Sequence, residues 1–206
     1  MPKIYSKKTV AIKAIALIFA ILLIDQIVKI YVKTHFTLHE SVTVFSWFKI
    51  TFVENTGMAF GLDFGGKLFL TLFRIAAVCL LAWFIAKLIK SRARQGFILT
   101  VALVLAGAAG NIIDSVFYGL IFDKGIINQY ELYQGVAAFA KQGYAPLFHG
   151  SVVDMLSFPI ITSGEKILFF SPVFNIADSA ITIAIFLIII FFRKDLNAAL
   201  ESKKNN

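Results

Sequence analysis

The chain has 206 residues, 59% of them hydrophobic and only 16% charged, with 22 Phe and a mean hydropathy of +0.82. Soluble domains carry about 25% charged residues, and a domain of this size cannot bury so much apolar surface. A water-soluble globule and a disordered chain are excluded, which leaves an integral membrane protein. The formal net charge of +8 comes from 20 basic and 12 acidic residues, so the acids are the scarce groups.

A hydrocarbon core of about 30 Å needs roughly 20 mostly apolar residues per helix. Four stretches qualify, at about residues 10–32, 68–89, 97–120 and 173–192. The first follows Lys3, Lys7 and Lys8, as a secretory signal would, but it ends at Asp25-Gln26 and not at a small-residue cleavage site. It therefore reads as a retained span. Between spans one and two, a segment at about 38–61 is rich in β-branched and aromatic residues. Short strands at the outer membrane surface are expected there, with Trp47 at the interface and a turn at Asn55-Thr-Gly57. Span two contains Cys79, expected to be a buried small apolar residue, and Arg74, which would snorkel to the surface or pair with an acid. In the last long connection, residues 131–141 are expected to form a short helix.

The basic residues are sorted along the chain. Eleven of the 20 lie before span one, in the short link between spans two and three, or after span four. The positive-inside rule then puts both termini and that link in the cytoplasm, and the two long connections outside. This distribution also argues against nucleic-acid binding. One cysteine allows no internal disulfide framework and no Cys-rich metal site. His35, His39 and His149 form no tight ligand set, so no metal or other cofactor is expected.

Ionisable groups in or beside membrane spans are costly and mark function by default. At 1.5 Å per residue, Asp25 lies about 24 Å outward along span one and Asp114 about 26 Å along span three. Asp178 lies near the outer end of span four, and Asp154 in the outer connection just before it. Four carboxylates from four segments are thus placed at one depth, the outer edge of the hydrocarbon. Acids at helix ends can also act simply as caps, and Asp178 near a helix N-terminus suits that role. Polar neighbours strengthen the functional reading. Asn111 and Asn175 each stand three residues before an Asp on the same helical face, and Asn55 follows the strand-like segment. Lys29, four residues after Asp25, either pairs with an acid or snorkels. The run Ala106-Gly-Ala-Ala-Gly110 permits close helix approach in lipid.

Two carboxyls held close share one proton, so one can draw a proton from water while the other polarises a scissile carbonyl. That is aspartic-peptidase chemistry. The sequence contains no phosphate-binding loop, dinucleotide fingerprint, HExxH or GxSxG motif. The alternative from another class is a small proton-coupled transporter or channel subunit. Against it, the acids share one depth and do not string across the bilayer.

Five segments carry a resemblance. They are Asp25-Gln-Ile-Val-Lys29, Asn55-Thr-Gly-Met-Ala-Phe-Gly61, Gly107-Ala-Ala-Gly-Asn-Ile-Ile-Asp114, Val152-Val-Asp154 and Phe174-Asn-Ile-Ala-Asp-Ser179. In this order they resemble the bacterial lipoprotein signal peptidases, or type II signal peptidases. The resemblance implies an all-α membrane protein of four transmembrane helices with a small outer β-cradle, forming one peptidase domain over 1–206 in the bacterial inner membrane. It implies cleavage of diacylglyceryl-modified prolipoproteins just before the lipidated cysteine, near the outer (periplasmic) face. Asp154 and Asp178 would be the catalytic pair. Asp25, Asn55, Gly57, Asn111, Asp114 and Asn175 would support the site. Prolipoproteins, membrane lipid and globomycin-type inhibitors are the implied partners, and the chain is expected to be a monomer. Two departures stand out. The family commonly has Arg after the acid of its GNxxD motif, where this chain has Ser115, so the role of that Arg is either absent here or supplied elsewhere, with Arg74 as a candidate. About 40 residues separate Asp114 from Asp154, more than the family commonly has, which implies an outer-loop insertion at about 122–148.

Overall fold

The computed structural model describes residues 6–57, 66–124, 135–159, 161–163, 166–169 and 172–201. Four helices are long and apolar enough to cross a membrane: Lys7–His35, Gly66–Lys90, Gln95–Ile121 and Ile176–Glu201. The first two are α1 and α2. The third comprises α3 (Gln95–Ile113), a π-helical segment Asp114–Tyr118 and the short α4 (Gly119–Ile121). The fourth comprises α5 (Ile176–Leu187), a π-helical segment Ile188–Phe192 and α6 (Arg193–Glu201). At 25 to 29 residues each, they reach at least about 37 Å, more than the hydrocarbon thickness. The first three spans lie where the sequence puts them. The fourth starts three residues later than expected, because Val173 and Phe174 pair with Ser157 and Leu156 as a strand.

A four-stranded antiparallel sheet has the order β1 (Ser41–Phe45), β2 (Phe48–Asn55), β3 (Val152–Ser157), β6 (Val173–Phe174). A separate antiparallel pair joins β4 (Ile161–Ser163) to β5 (Lys166–Phe169). β1 and β2 fall within the expected 38–61 segment, of which residues 58–61 lie outside the described part. Of the expected helix at 131–141, residues 131–134 also lie outside it, and residues 135–141 are not helical. There, Val136 bridges Thr37, Phe139 bridges Phe122, and their rings approach to 4.6 Å. Pairing with distant backbone has overridden local helix propensity.

The chain divides into two compact units. The first comprises Met1–Ile24, Arg74–Gly110 and Ala177–Asn206. Its core is the α3 face Phe97, Ile98, Val101, Ala102 and Leu105, packed with Val10, Ala14, Ile85, Leu88 and Phe192. Gly107 sits where helices meet: a Cβ there would stand 2.3 Å from the Ala177 carbonyl oxygen. The small-residue run thus brings backbone onto backbone at the start of α5, as lipid-embedded helices require. Large side chains point away from this core, with Ile15 and Leu80 each 66% exposed. Cys79 is exposed too, contrary to expectation. On a lipid-facing helix, an apolar side chain is satisfied by acyl chains and needs no protein cover.

The second unit comprises Asp25–Phe73 and Asn111–Ile176. Its core gathers Val32, Phe52, Tyr118, Phe122, Val153 and Met155. Successive residues of a strand face opposite sides. Val153 and Met155 enter this core, so Asp154 between them points to the other face of β3.

Candidate active site

The α1 portion of the second unit turns a polar stripe inward. Asp25, Lys29 and Lys33 recur at i, i+4 spacing and are at most 1% exposed, while Ile24, Ile27 and Tyr31 lie on the exposed side. A charge buried so completely needs partners. The Lys29 ammonium lies 2.9 Å from Asp25 Oδ2 and 2.8 Å from Asp114 Oδ2, and donates to Asn111 Oδ1 at 2.9 Å. Lys29 therefore pairs and does not snorkel. Gln26 Nε2 donates to Asp114 Oδ1 at 2.9 Å, and Tyr118 Oη donates to Gln26 Oε1 at 3.1 Å. The Val153 N–H adds a bond to Asp114 Oδ2 at 3.2 Å, tying this cluster to β3.

Asn111 passes the order onward. Its Oδ1 also accepts from Asn175 Nδ2 at 3.0 Å, and the same amide donates to Asp154 Oδ1 at 2.7 Å. On the other side, Asn55 Nδ2 reaches Asp154 Oδ2 at 3.4 Å. Asp154 is 3% exposed, and both of its oxygens face side-chain amides. Its carboxyl plane is thereby set by β2, by the residue before α5 and, through Asn111, by the Lys29 cluster. Gly57 has φ +82°, and its N–H donates to Asn55 Oδ1 at 2.8 Å. The Asn55-Thr-Gly57 turn thus orients the amide that meets Asp154. Only a residue tolerant of the left-handed region fits there without strain.

Ser115, where the resemblance leads one to expect Arg, is buried. Its hydroxyl donates to the Asn111 carbonyl at 3.0 Å, and its own carbonyl accepts the Gly150 N–H at 2.8 Å. Gly150 lies so near this π-helical segment that a Cβ would stand 2.1 Å from the Asp114 carbonyl oxygen. The positive charge at Asp114 comes from Lys29.

Of the expected site residues, the second unit brings together Asp25, Asn55, Gly57, Asn111, Asp114, Asp154 and Asn175. Arg74 and Asp178 belong to the first unit. Arg74 is half-buried in α2. Asp178 is half-buried in the first turn of α5, where the helix dipole favours a carboxylate, three residues along the chain from Asn175.

Nothing in the sequence patterns signals a second buried pair. Lys33, 1% exposed, is ion-paired to Glu54, and its ammonium lies 5.8, 5.4 and 5.0 Å from the ring centres of Phe52, Phe122 and Tyr144. Burial and the nearby Glu54 push the Tyr144 phenol up to about 12, so it stays neutral and accepts the Ser151 N–H at 2.7 Å.

The family model described as Signal peptidase (SPase) II matches residues 17–194. A lipoprotein signal peptidase of Porphyromonas gingivalis is 42% identical over 200 residues, covering 92% of this chain and 86% of that protein. The lipoprotein signal peptidase of Amoebophilus asiaticus is 32% identical over 214 residues, covering 95% and 83%. A solved bacterial membrane enzyme shares the fold at TM-score 0.59 and 24% identity, covering 89% of each chain. The chain belongs to the signal peptidase II family.

Proposed function

We propose that this chain is a membrane-embedded aspartic endopeptidase. It removes the signal peptide of diacylglyceryl-modified prolipoproteins by cutting just before the lipidated cysteine. The observation that carries this reading is Asp154, buried on the sheet and held at both oxygens by Asn55 and Asn175. Asp178 is its partner, and the two share one proton. One carboxylate takes a proton from water, and the resulting hydroxide attacks the carbonyl carbon preceding the cysteine while the protonated carboxyl donates to the carbonyl oxygen. The tetrahedral intermediate collapses, the C–N bond breaks, and the departing amine takes up a proton. The pair titrates as a unit, and the base and acid roles belong to the pair.

The whole chain, 1–206, works as one domain of the bacterial inner membrane. Both termini are cytoplasmic and the site opens near the outer face. This placement is supported by the sorting of the basic residues. The four-stranded sheet serves as the cradle at the membrane surface. Trp47 and Phe158, stacked at 6.0 Å beside the exposed Phe45, supply aromatic anchoring suited to an interface. The insertion at about 122–148 shapes the substrate entrance.

The test is to incubate purified protein with a diacylglyceryl prolipoprotein, with and without globomycin. Release of the signal peptide that globomycin blocks is the expected result. No cleavage, together with Asp-dependent proton flux in liposomes, would instead establish the transporter alternative.

A further inference from the structure

The Lys33–Glu54 pair makes no contact with Asp154 itself, yet Glu54 is the chain neighbour of Asn55, whose amide meets Asp154. Successive residues of β2 face opposite sides of the sheet. Phe52 enters the core of the second unit, so Glu54, two residues on, turns to that same face. Asn55 turns to the other face with Val53, which stands opposite Asp154 in the register. Lys33, in the last turns of α1, therefore grips β2 from behind the site.

Asn55 needs such a grip. It is the last residue of β2, it is exposed, and its 3.4 Å contact with Asp154 Oδ2 is longer than the 2.7 Å bond from Asn175 to Oδ1. Element ends open before element centres do. The ion pair fixes β2 one residue before Asn55. On the facing strand, Tyr144 Oη accepts the Ser151 N–H at 2.7 Å, one residue before Val152, the register partner of Asn55. Tyr144 is itself set by its backbone N–H, which donates to the Phe122 carbonyl at 3.0 Å. The rings of Tyr144 and Phe122 in turn enclose the Lys33 ammonium. Both strand ends are thus tied to one pocket. A buried ion pair adds little net stability over apolar side chains of similar volume. What it adds here is direction, since β2 must stand at one position for Glu54 to meet Lys33.

We infer that Lys33, Glu54 and Tyr144 are positioning residues for the cleavage, holding the ends of β2 and β3 so that the Asn55 amide stays on Asp154. The inference rests on the reading of Asp154 as catalytic. Phe122 and Tyr144 come from the insertion at about 122–148, so the insertion braces the reacting centre as well as shaping its entrance.

The test measures kcat and KM on a diacylglyceryl prolipoprotein, beside thermal unfolding, for Glu54→Gln, Lys33→Met and the two combined. Glu54→Gln strands an ammonium that is 1% exposed, whereas Lys33→Met strands a carboxylate that is 16% exposed, so the first should destabilise more. The double variant leaves neither charge stranded and should regain most of that stability. Its kcat should nonetheless stay about 10- to 100-fold below wild type, with KM changed by no more than about threefold, because the strand end is no longer held. Adding the double substitution to Asn55→Ala should cost little further rate, since the amide that the pair positions is already gone. Tyr144→Phe keeps the ring and loses the Ser151 bond, and should lower kcat by about three- to tenfold with unfolding near wild type. Wild-type kcat in the double variant or in Tyr144→Phe overturns the inference and leaves the peptidase reading standing. So does a loss of rate on the Asn55→Ala background as large as on the wild-type background. A wild-type chain that fails to cleave the prolipoprotein defeats the peptidase reading and this inference together.

Discussion

Asp154→Asn and Asp178→Asn are each expected to lower prolipoprotein cleavage by about 10⁴-fold or more while leaving the protein folded. Asparagine matches the shape of aspartate but can neither take nor give a proton in this chemistry. At position 154 its side-chain oxygen still accepts from Asn175, which donates to Oδ1 at 2.7 Å, while its NH2 replaces the oxygen that meets Asn55 at 3.4 Å. At position 178 it remains a good residue for the first turn of α5. Unfolding in detergent should therefore move little for either variant. Signal-peptide release by gel assay beside a thermal unfolding curve separates lost chemistry from lost fold. Either variant cleaving within about tenfold of wild type would remove that residue from the catalytic pair.

Lys29→Met is expected to be the most destabilising single substitution in the second unit, at about 3–5 kcal/mol. Asp25, Lys29 and Asp114 are each 0% exposed, and Lys29 is the ammonium that touches both acids. Its removal leaves two buried carboxylates facing each other. Adding Asp25→Asn to Lys29→Met removes one of those charges and should recover part of the loss, because the two sites are coupled. Equilibrium unfolding of wild type, the single variant and the double variant measures this. A loss below about 1 kcal/mol, or no recovery, would mean that Lys29 does not hold the acids together.

The spans were legible in the sequence because a bilayer imposes length and hydropathy directly on the chain. A helix converts residue count into distance, so the meeting of Asp25 and Asp114, which the structure shows around Lys29, was legible from their positions along spans one and three. Lys29 could pair or snorkel on its position alone, and that it joins both acids was not legible, since it meets Asp114 only once the first and third spans are placed. β3 was hidden for a similar reason. Its register with β2, Val53 against Asp154 and Asn55 against Val152, joins segments about 100 residues apart in the chain. The Lys33 pocket draws on residues 33, 52, 54, 122 and 144, a set no local pattern groups. Cys79 shows a different limit. The expectation that an apolar residue is buried by protein belongs to water, and on a lipid-facing helix it does not hold.

The central claim is that a carboxyl pair directs water at one bond, just before the lipidated cysteine, with no covalent enzyme intermediate. It is tested most directly by the mass spectrum of the signal peptide released in the presence of hydroxylamine. The predicted product is a free acid ending at the residue before the cysteine, absent when Asp154→Asn replaces the wild type. A hydroxamate at that terminus, or a peptide cut at another bond, would contradict the account.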